Sequence, residues 1–161
     1  MIIVCDSSAL ITLALVNQLS LLEQLFGKVQ IPQGVYEEVV VRGAGRVGAG
    51  AVRDASFIKV AEATHEREAH TTDPALSRAD REIIALAQAR AADLVITRDR
   101  RLVRRLRQQG IAAATVGDVL VVAKERGVIE SVRAVLDEMK EKGVLIRDAA
   151  YRALLRQAGE Q

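Results

Sequence analysis

The stretch from Arg78 to Thr115, RADREIIALAQARAADLVITRDRRLVRRLRQQGIAAAT, decides the fold. Ile83, Ile84 and Ala87 recur at helical spacing, which predicts a helix from Arg78 to about Ala91. Leu94-Val95-Ile96-Thr97 is a short apolar run rich in branched side chains, which predicts a strand. A basic helix then runs through Arg107, Gly110 closes it, and Ile111 to Thr115 predicts a further strand. Helices and strands alternating at this spacing imply a parallel sheet with right-handed crossovers.

Working outward, Ile2 to Cys5 is another short apolar strand, followed by Asp6-Ser7-Ser8. Either serine can cap a helix that starts near Ala9. Leu19 to Phe26 predicts a second short helix stopped by Gly27, and Lys28 to Ile31 alternates as a strand does. Pro32 fits the first turn of a helix that carries Val35, Tyr36, Val39 and Val40. The glycines of the link from Gly43 to Gly50 include Gly43, Gly45 and Gly48 at GxGxxG spacing. They follow a helix rather than a strand, so a mobile loop is expected and not a dinucleotide site. Phe57 to Val60 predicts a strand, residues 62–76 are polar and irregular, and the chain after Gly117 is helical with breaks at Gly127 and Gly143. The expectation is one α/β domain over residues 1–161, three layers deep. A mostly parallel sheet lies between helices, residues 1–115 form the core, and residues 116–161 form a helical C-terminal extension.

The composition narrows the function. The chain has 161 residues, half of them hydrophobic but only 2% aromatic, with no Trp. So much aliphatic mass is incompatible with disorder, and so few aromatic rings argue against modules that read nucleic acid by stacking bases. The lone Cys5 excludes an internal disulfide and a cysteine-rich zinc site, and its apolar setting reads as a buried hydrophobe. The first apolar run is short and lacks a basic lead, and no run reaches the roughly 18 to 20 apolar residues of a membrane span. A cytoplasmic protein without a membrane partner is expected. Lys and Arg total 23 against 21 Asp and Glu, a net charge of +2, so the placement of charge matters more than its sum. His65 and His70 have a spacing that suits no common metal motif and are expected to be structural or exposed.

Four carboxylates stand out. Asp6 ends one predicted strand and Asp99 lies two residues beyond another. Ligands of open parallel sheets bind at the carboxyl edge of the strands, although each Asp can equally cap the helix that follows it. Asp80 falls inside the apolar stripe of its helix, three residues before Ile83, whereas Glu82 and Arg78 fall well away from it. A carboxylate aimed at a core needs a partner or a cation, or else the favourable end of the helix dipole. Glu37 and Glu38 are adjacent, and Glu38 shares a side with Val35 and Val39. Carboxylates gathered without His or Cys suit a hard cation, Mg²⁺ or Mn²⁺. Such an ion polarises a phosphoryl group and orients a water, which points to phosphodiester hydrolysis.

These residues resemble the PIN domain family, the fold of VapC-like toxin ribonucleases, in a less characterised branch. The resemblance runs through Val4-Cys5-Asp6-Ser7-Ser8 and through Ile31-Pro32-Gln33-Gly34-Val35-Tyr36-Glu37-Glu38, which is similar to the family's Pro-x-x-Val-x-x-Glu stretch. It continues in Leu76-Ser77-Arg78-Ala79-Asp80-Arg81-Glu82-Ile83-Ile84-Ala85-Leu86-Ala87, similar to a third acidic motif, and in Thr97-Arg98-Asp99, similar to a Thr-x-Asp motif. It implies a PIN-like fold with a nuclease-like core. It also implies a Mg²⁺- or Mn²⁺-dependent endoribonuclease whose metal and catalytic residues are Asp6, Glu38, Asp80 and Asp99. Ser7 and Thr97 occupy places where the family puts a hydroxyl near the metal. Related sequences carry further acids beside the last Asp, where this chain has Arg98, Arg100 and Arg101, a departure that bears on whether a second metal is held.

The arginines Arg98, Arg100, Arg101, Arg104, Arg105 and Arg107 form a cluster that reads mainly as a solvated helix face. Arg98, Arg100, Arg101 and, from the glycine link, Arg46 (with Arg42 beside it) are the candidates to grip RNA phosphates. The resemblance implies a toxin paired with a small antitoxin. The aliphatic helices after residue 115 offer surface for that partner or for a homodimer or higher homo-oligomer. Two other classes compete: a catalytically weak or inactive PIN-like module for nucleic-acid binding or assembly, and a receiver-like phospho-acceptor. The latter would pair adjacent acids after the first strand, where this chain has Asp6 alone.

Overall fold

In the computed structural model, which describes residues 1–61 and 75–161, strands and helices alternate from the first residues. β1 (Ile3–Cys5) leads through α1 (Ser7–Leu15) and α2 (Ser20–Phe26) to β2 (Val29–Ile31). Then come α3 (Gln33–Tyr36), which continues as a π-helical turn over Glu37–Val41, α4 (Ala49–Asp54) and β3 (Ile58–Val60). The alternating unit between Arg78 and Thr115 follows: α5 (Arg78–Ala89), β4 (Leu94–Thr97), α6 (Arg100–Gln108) and β5 (Ala113–Thr115). Three helices complete the chain, α7 (Val116–Glu125), α8 (Val132–Glu141) and α9 (Asp148–Gln157).

The described strands form one five-stranded, wholly parallel sheet in the order β3-β2-β1-β4-β5, flanked by helices as expected. From β1 the chain winds outward through β2 and β3, then returns to the other side of β1 for β4 and β5. Right-handed crossovers carry these two sets of connections onto opposite faces. The order therefore reverses between β1 and β4, and the crevice at their carboxyl ends is the switch point where such sheets bind ligands. Register places Cys5 opposite Ile96, so the residues just beyond, Asp6 and Thr97, leave the sheet side by side.

Several local expectations are refined. α1 begins at Ser7 because Asp6, not either serine, is its cap, accepting the Ala9 N–H at 2.9 Å. The helix after Pro32 keeps α geometry for one turn only before it widens into the π turn. Residues 42–48 form consecutive turns, and Ala49, assigned to the link, already belongs to α4. The strand expected over Ile111 to Thr115 is confined to Ala113–Thr115. The stretch 62–76 lies outside the described residues up to position 74, as do His65 and His70.

The core is one contiguous aliphatic cluster reaching from Ile3 to Leu155, with the branched side chains of the strands at its centre. Cys5 is fully buried in it, as read from sequence, and burial beside the charge of Asp6 pushes its thiol up beyond any physiological titration. Gly117 in the first turn of α7 lets α9 approach so closely that a Cβ there would stand 2.5 Å from Leu154 Cδ1. Glu160 ties the last helices together. Its carboxylate accepts from Ser131 Oγ at 2.8 Å and the Val132 N–H at 2.7 Å, and pairs with Lys124 Nζ at 3.0 Å. No single helix among the described residues is long and apolar enough to cross a membrane.

Candidate active site

Asp6 stands at the switch point with 8% of its surface exposed. Its Oδ1 accepts from Ser8 Oγ at 2.8 Å and from the Ala9 N–H at 2.9 Å, and its Oδ2 accepts from the Thr97 hydroxyl. Burial pushes its carboxyl above the usual carboxylate range. The bonds from Thr97, Ala9 and Ser8 oppose that rise, and the negative charge of Asp80 adds to it.

Asp99 caps α6 by accepting the Arg101 N–H at 2.8 Å. Both strand-end acids are therefore helix caps, and capping is also what holds them at the edge of the sheet. The fully buried Thr97 joins them: its hydroxyl donates to Asp6 and accepts the Asp99 N–H at 3.0 Å. A second hydroxyl makes a parallel link, for Ser8 Oγ donates to Asp6 and accepts the Arg98 N–H at 3.1 Å. The hydroxyl on Asp6 thus comes from Ser8, not from Ser7, whose side chain makes no hydrogen bond to it among the described residues.

Asp80 sits in the first turn of α5, half-buried, its N–H held by the Ser77 cap at 3.1 Å. It shares with Asp99 a cavity of about 360 Å³ lined also by Leu76, Arg101 and Arg104. Three relationships thus close a triangle. Asp6 feels the charge of Asp80, Asp80 faces the cavity of Asp99, and Thr97 bridges Asp99 to Asp6. Among the described residues, no three carboxylate, imidazole or thiol groups are gathered tightly enough to form a ready metal cage.

Glu38 stands apart. It is exposed on the π turn, does not line that cavity, and is not among the groups acting on Asp6. Glu82 is the acid that sequence reasoning set aside. It pairs with Arg78 at 3.3 Å and lies so close to α3 that a Cβ on Gly34 would meet its Oε2 at 2.0 Å. The glycine inside Pro32-Gln33-Gly34-Val35 was the only available signal of this approach.

Of the arginines, Arg98, Arg100 and Arg101 line a larger groove of about 770 Å³ that begins at Asp99 and runs toward α9. Arg98 also reaches back to Thr12 Oγ1 at 3.5 Å. Arg107 is partly structural, donating to the Ala113 carbonyl at 2.9 Å. Arg46 is exposed in the turns before α4 and lines neither cavity.

The PIN domain family model matches residues 2–160. The chain belongs to the PIN domain family. This PIN domain carries the fold of a nuclease family, and the match spans the C-terminal helices as well as the sheet. Its fold is shared with a PilT N-terminus domain protein of the hyperthermophilic archaeon Sulfolobus solfataricus. The two are 18% identical, with a TM-score of 0.59 over 76% of this chain and 93% of that one. No curated protein matches the chain.

Proposed function

We propose that this PIN domain is a Mg²⁺- or Mn²⁺-dependent endoribonuclease that acts as the toxin of a toxin–antitoxin pair. The observation that carries the reading is the triangle of Asp6, Asp80 and Asp99 at the switch point of the sheet. An all-oxygen donor set fits a hard divalent cation, and a buried carboxyl pushed upward by burial and a neighbouring acid is relieved by positive charge. Asp6, Asp80 and Asp99 would hold the ion, and Glu38 joins them through its place in the family motif. When bound, such an ion activates water and polarises a phosphodiester. Thr97 and Ser8 orient the Asp6 carboxylate, while Arg98, Arg100 and Arg101 hold the RNA backbone beside Asp99. We place the protein in the cytoplasm and expect its aliphatic C-terminal helices to support self-association.

Calorimetric titration of the purified protein with Mn²⁺, paired with cleavage assays on single-stranded and structured RNA, tests this reading. Asp6→Asn, Asp80→Asn and Asp99→Asn should each weaken Mn²⁺ binding and abolish cleavage. Wild-type cleavage by Asp6→Asn or Asp99→Asn, with contaminating nuclease excluded, overturns it. A second reading, a PIN module that binds nucleic acid or assembles without catalysis, draws on the absence of a ready cage among the described residues and on the arginines around Asp99. RNA binding that survives all three substitutions without Mn²⁺ uptake by the wild type supports it.

A further inference from the structure

The cavity that Asp80 shares with Asp99 continues past the acids along one face of α6. Arg101, Arg104, Arg105 and Gln108 line it at three- and four-residue spacing, so they stand one above another on the helix. Asp99, which accepts the Arg101 N–H at 2.8 Å, marks one end. Gln108, the last residue of α6, marks the other, and the helix rises about 10 Å between Arg101 and Gln108. The two ends differ in chemistry. Acids and arginines meet at the first, and a neutral amide stands at the second.

That amide is uncommitted. Gln88 and Gln109 bond to each other at 2.7 Å, whereas the exposed Gln108 side chain makes no hydrogen bond among the described residues. Arg101 and Arg104 likewise take part in no ion pair among the described residues. Leu76 and Leu102, both buried, supply an apolar wall, and no aromatic side chain lines the cavity. Its volume of about 360 Å³ lies in the range of small-ligand pockets.

Cations at one end, an apolar wall and a donor–acceptor pair at the other end match the phosphate, the base face and the base edge of one nucleotide. Arg101 and Arg104 offset the repulsion that Asp80 and Asp99 exert on the phosphate. A side-chain amide presents its donor and acceptor side by side, the pattern that meets N6 and N7 of adenine. With no ring to stack on, such edge contacts carry the reading of the base.

We propose that this cavity is the pocket for a single adenine nucleotide of the RNA strand, its phosphate on Arg101 and Arg104 beside the acids and its base edge on the Gln108 amide. Gln108 is then a specificity-determining residue. The nucleotide must be unpaired, because a base stacked inside a duplex does not reach the face of α6. The assignment rests on the nuclease reading for its substrate.

Fluorescence anisotropy with the full chain in metal-free buffer tests the proposal. The probes are a labelled tetrauridylate and three derivatives in which one internal uracil is replaced by adenine, guanine or cytosine. The adenine probe should bind about tenfold tighter than the tetrauridylate. Gln108→Leu should bind all four probes alike, and Arg104→Ala should weaken all four to the same degree. Gln108→Glu should move the preference to the cytosine probe, whose N4 donates to a carboxylate. Equal or absent binding of the four probes by the wild type overturns the proposal, and so does an adenine preference that Gln108→Leu leaves in place. A preference for the guanine probe would assign the reading to an arginine and overturn it too. Displacement of the adenine probe by an equal concentration of adenosine monophosphate would make the occupant a free nucleotide, not a strand. The same probes incubated with Mn²⁺ separate the two readings. Cleavage without base preference in binding removes the pocket and keeps the nuclease, whereas Gln108-dependent adenine binding without cleavage removes the nuclease and keeps the pocket.

Discussion

The Thr97 hydroxyl stands between two acids, donating to the Asp6 carboxylate and accepting the Asp99 backbone N–H at 3.0 Å. One small group thus links the acid at the end of β1 to the acid that follows β4. Thr97→Val keeps the shape and removes both roles, leaving a buried carboxylate short of a donor. The expected cost is about 1–3 kcal/mol of stability, read by chemical denaturation. RNA cleavage should fall by about ten- to a hundredfold, as it does when groups behind a metal ligand are lost. Thr97→Ser should restore both, and an unchanged cleavage rate in Thr97→Val contradicts the positioning role.

Asp6 should trade stability for function. Its pKa in the folded chain is raised above the ordinary 3.8 by burial, so the charged form is disfavoured by folding. For a group raised in this way, the stabilising contribution is fully present below its unfolded pKa and is lost as pH rises through its folded value. In metal-free buffer at neutral pH, Asp6→Asn should therefore melt higher than the wild type, and the gap should close as pH falls toward 3.8. A variant that melts lower at every pH would show that the hydrogen bonds outweigh the burial of charge.

Features fixed by neighbours in the chain are legible in the sequence, and those fixed by distant elements are not. β4 was legible to the residue, because Leu94 to Thr97 is a self-contained apolar run bounded by Asp93 and Arg98. Asp6, Asp80 and Asp99 were legible because each broke a local pattern, at a strand end or within an apolar stripe. The choice of Ser8 over Ser7 was not, since it turns on Asp6 being the cap and so on the phase of the first turn of α1. Glu82 was missed for a related reason: on its own helix it looks like surface, and only the approach of Gly34 from α3 gives it a neighbour. The π turn that carries Glu38 is not encoded by any periodicity within Val35 to Val40, whose apolar spacing reads as a regular helix.

Arg101 and Arg104 both line the Asp80–Asp99 cavity and the larger groove, and Arg101 is also the residue whose N–H Asp99 accepts, at 2.8 Å. Arg101→Ala should weaken binding of single-stranded RNA irrespective of sequence. The slope of log K against log salt should become shallower by about 0.7, the loss of one phosphate contact. An unaltered slope places the phosphates elsewhere.

Glu160 gives an acid-sensitive joint. Burial by itself raises its pKa, but bonds from Ser131, Val132, Lys124 and Arg133 bring it down to about 2. A depressed carboxyl contributes stability above its unfolded value, 4.5 here, and that contribution fades as pH falls toward 2. Glu160→Gln should lower the melting midpoint at pH 7 by a few degrees and make melting less pH-dependent between 4.5 and 2. Equal pH dependence in both proteins would assign acid sensitivity to other carboxylates.

Gly117→Ala would ordinarily favour a helix, yet the new Cβ meets Leu154 Cδ1 at 2.5 Å. Forcing α7 from α9 should cost about 1–3 kcal/mol in denaturant unfolding. The same change made on a Leu154→Ala background should cost clearly less, and strict additivity of the two would refute the clash.

The bond from Thr97 to Asp6 joins residues 91 positions apart. Closing a loop of this length costs chain entropy that the pairing of the strands must offset. The acid triangle therefore depends on the pairing of β1 with β4: with β4 unpaired, Asp6 has neither Thr97 nor Asp99 beside it. On the nuclease reading, cleavage should appear in a refolding time course no earlier than the pairing of β1 with β4, and activity that precedes that pairing would place the reacting acids elsewhere.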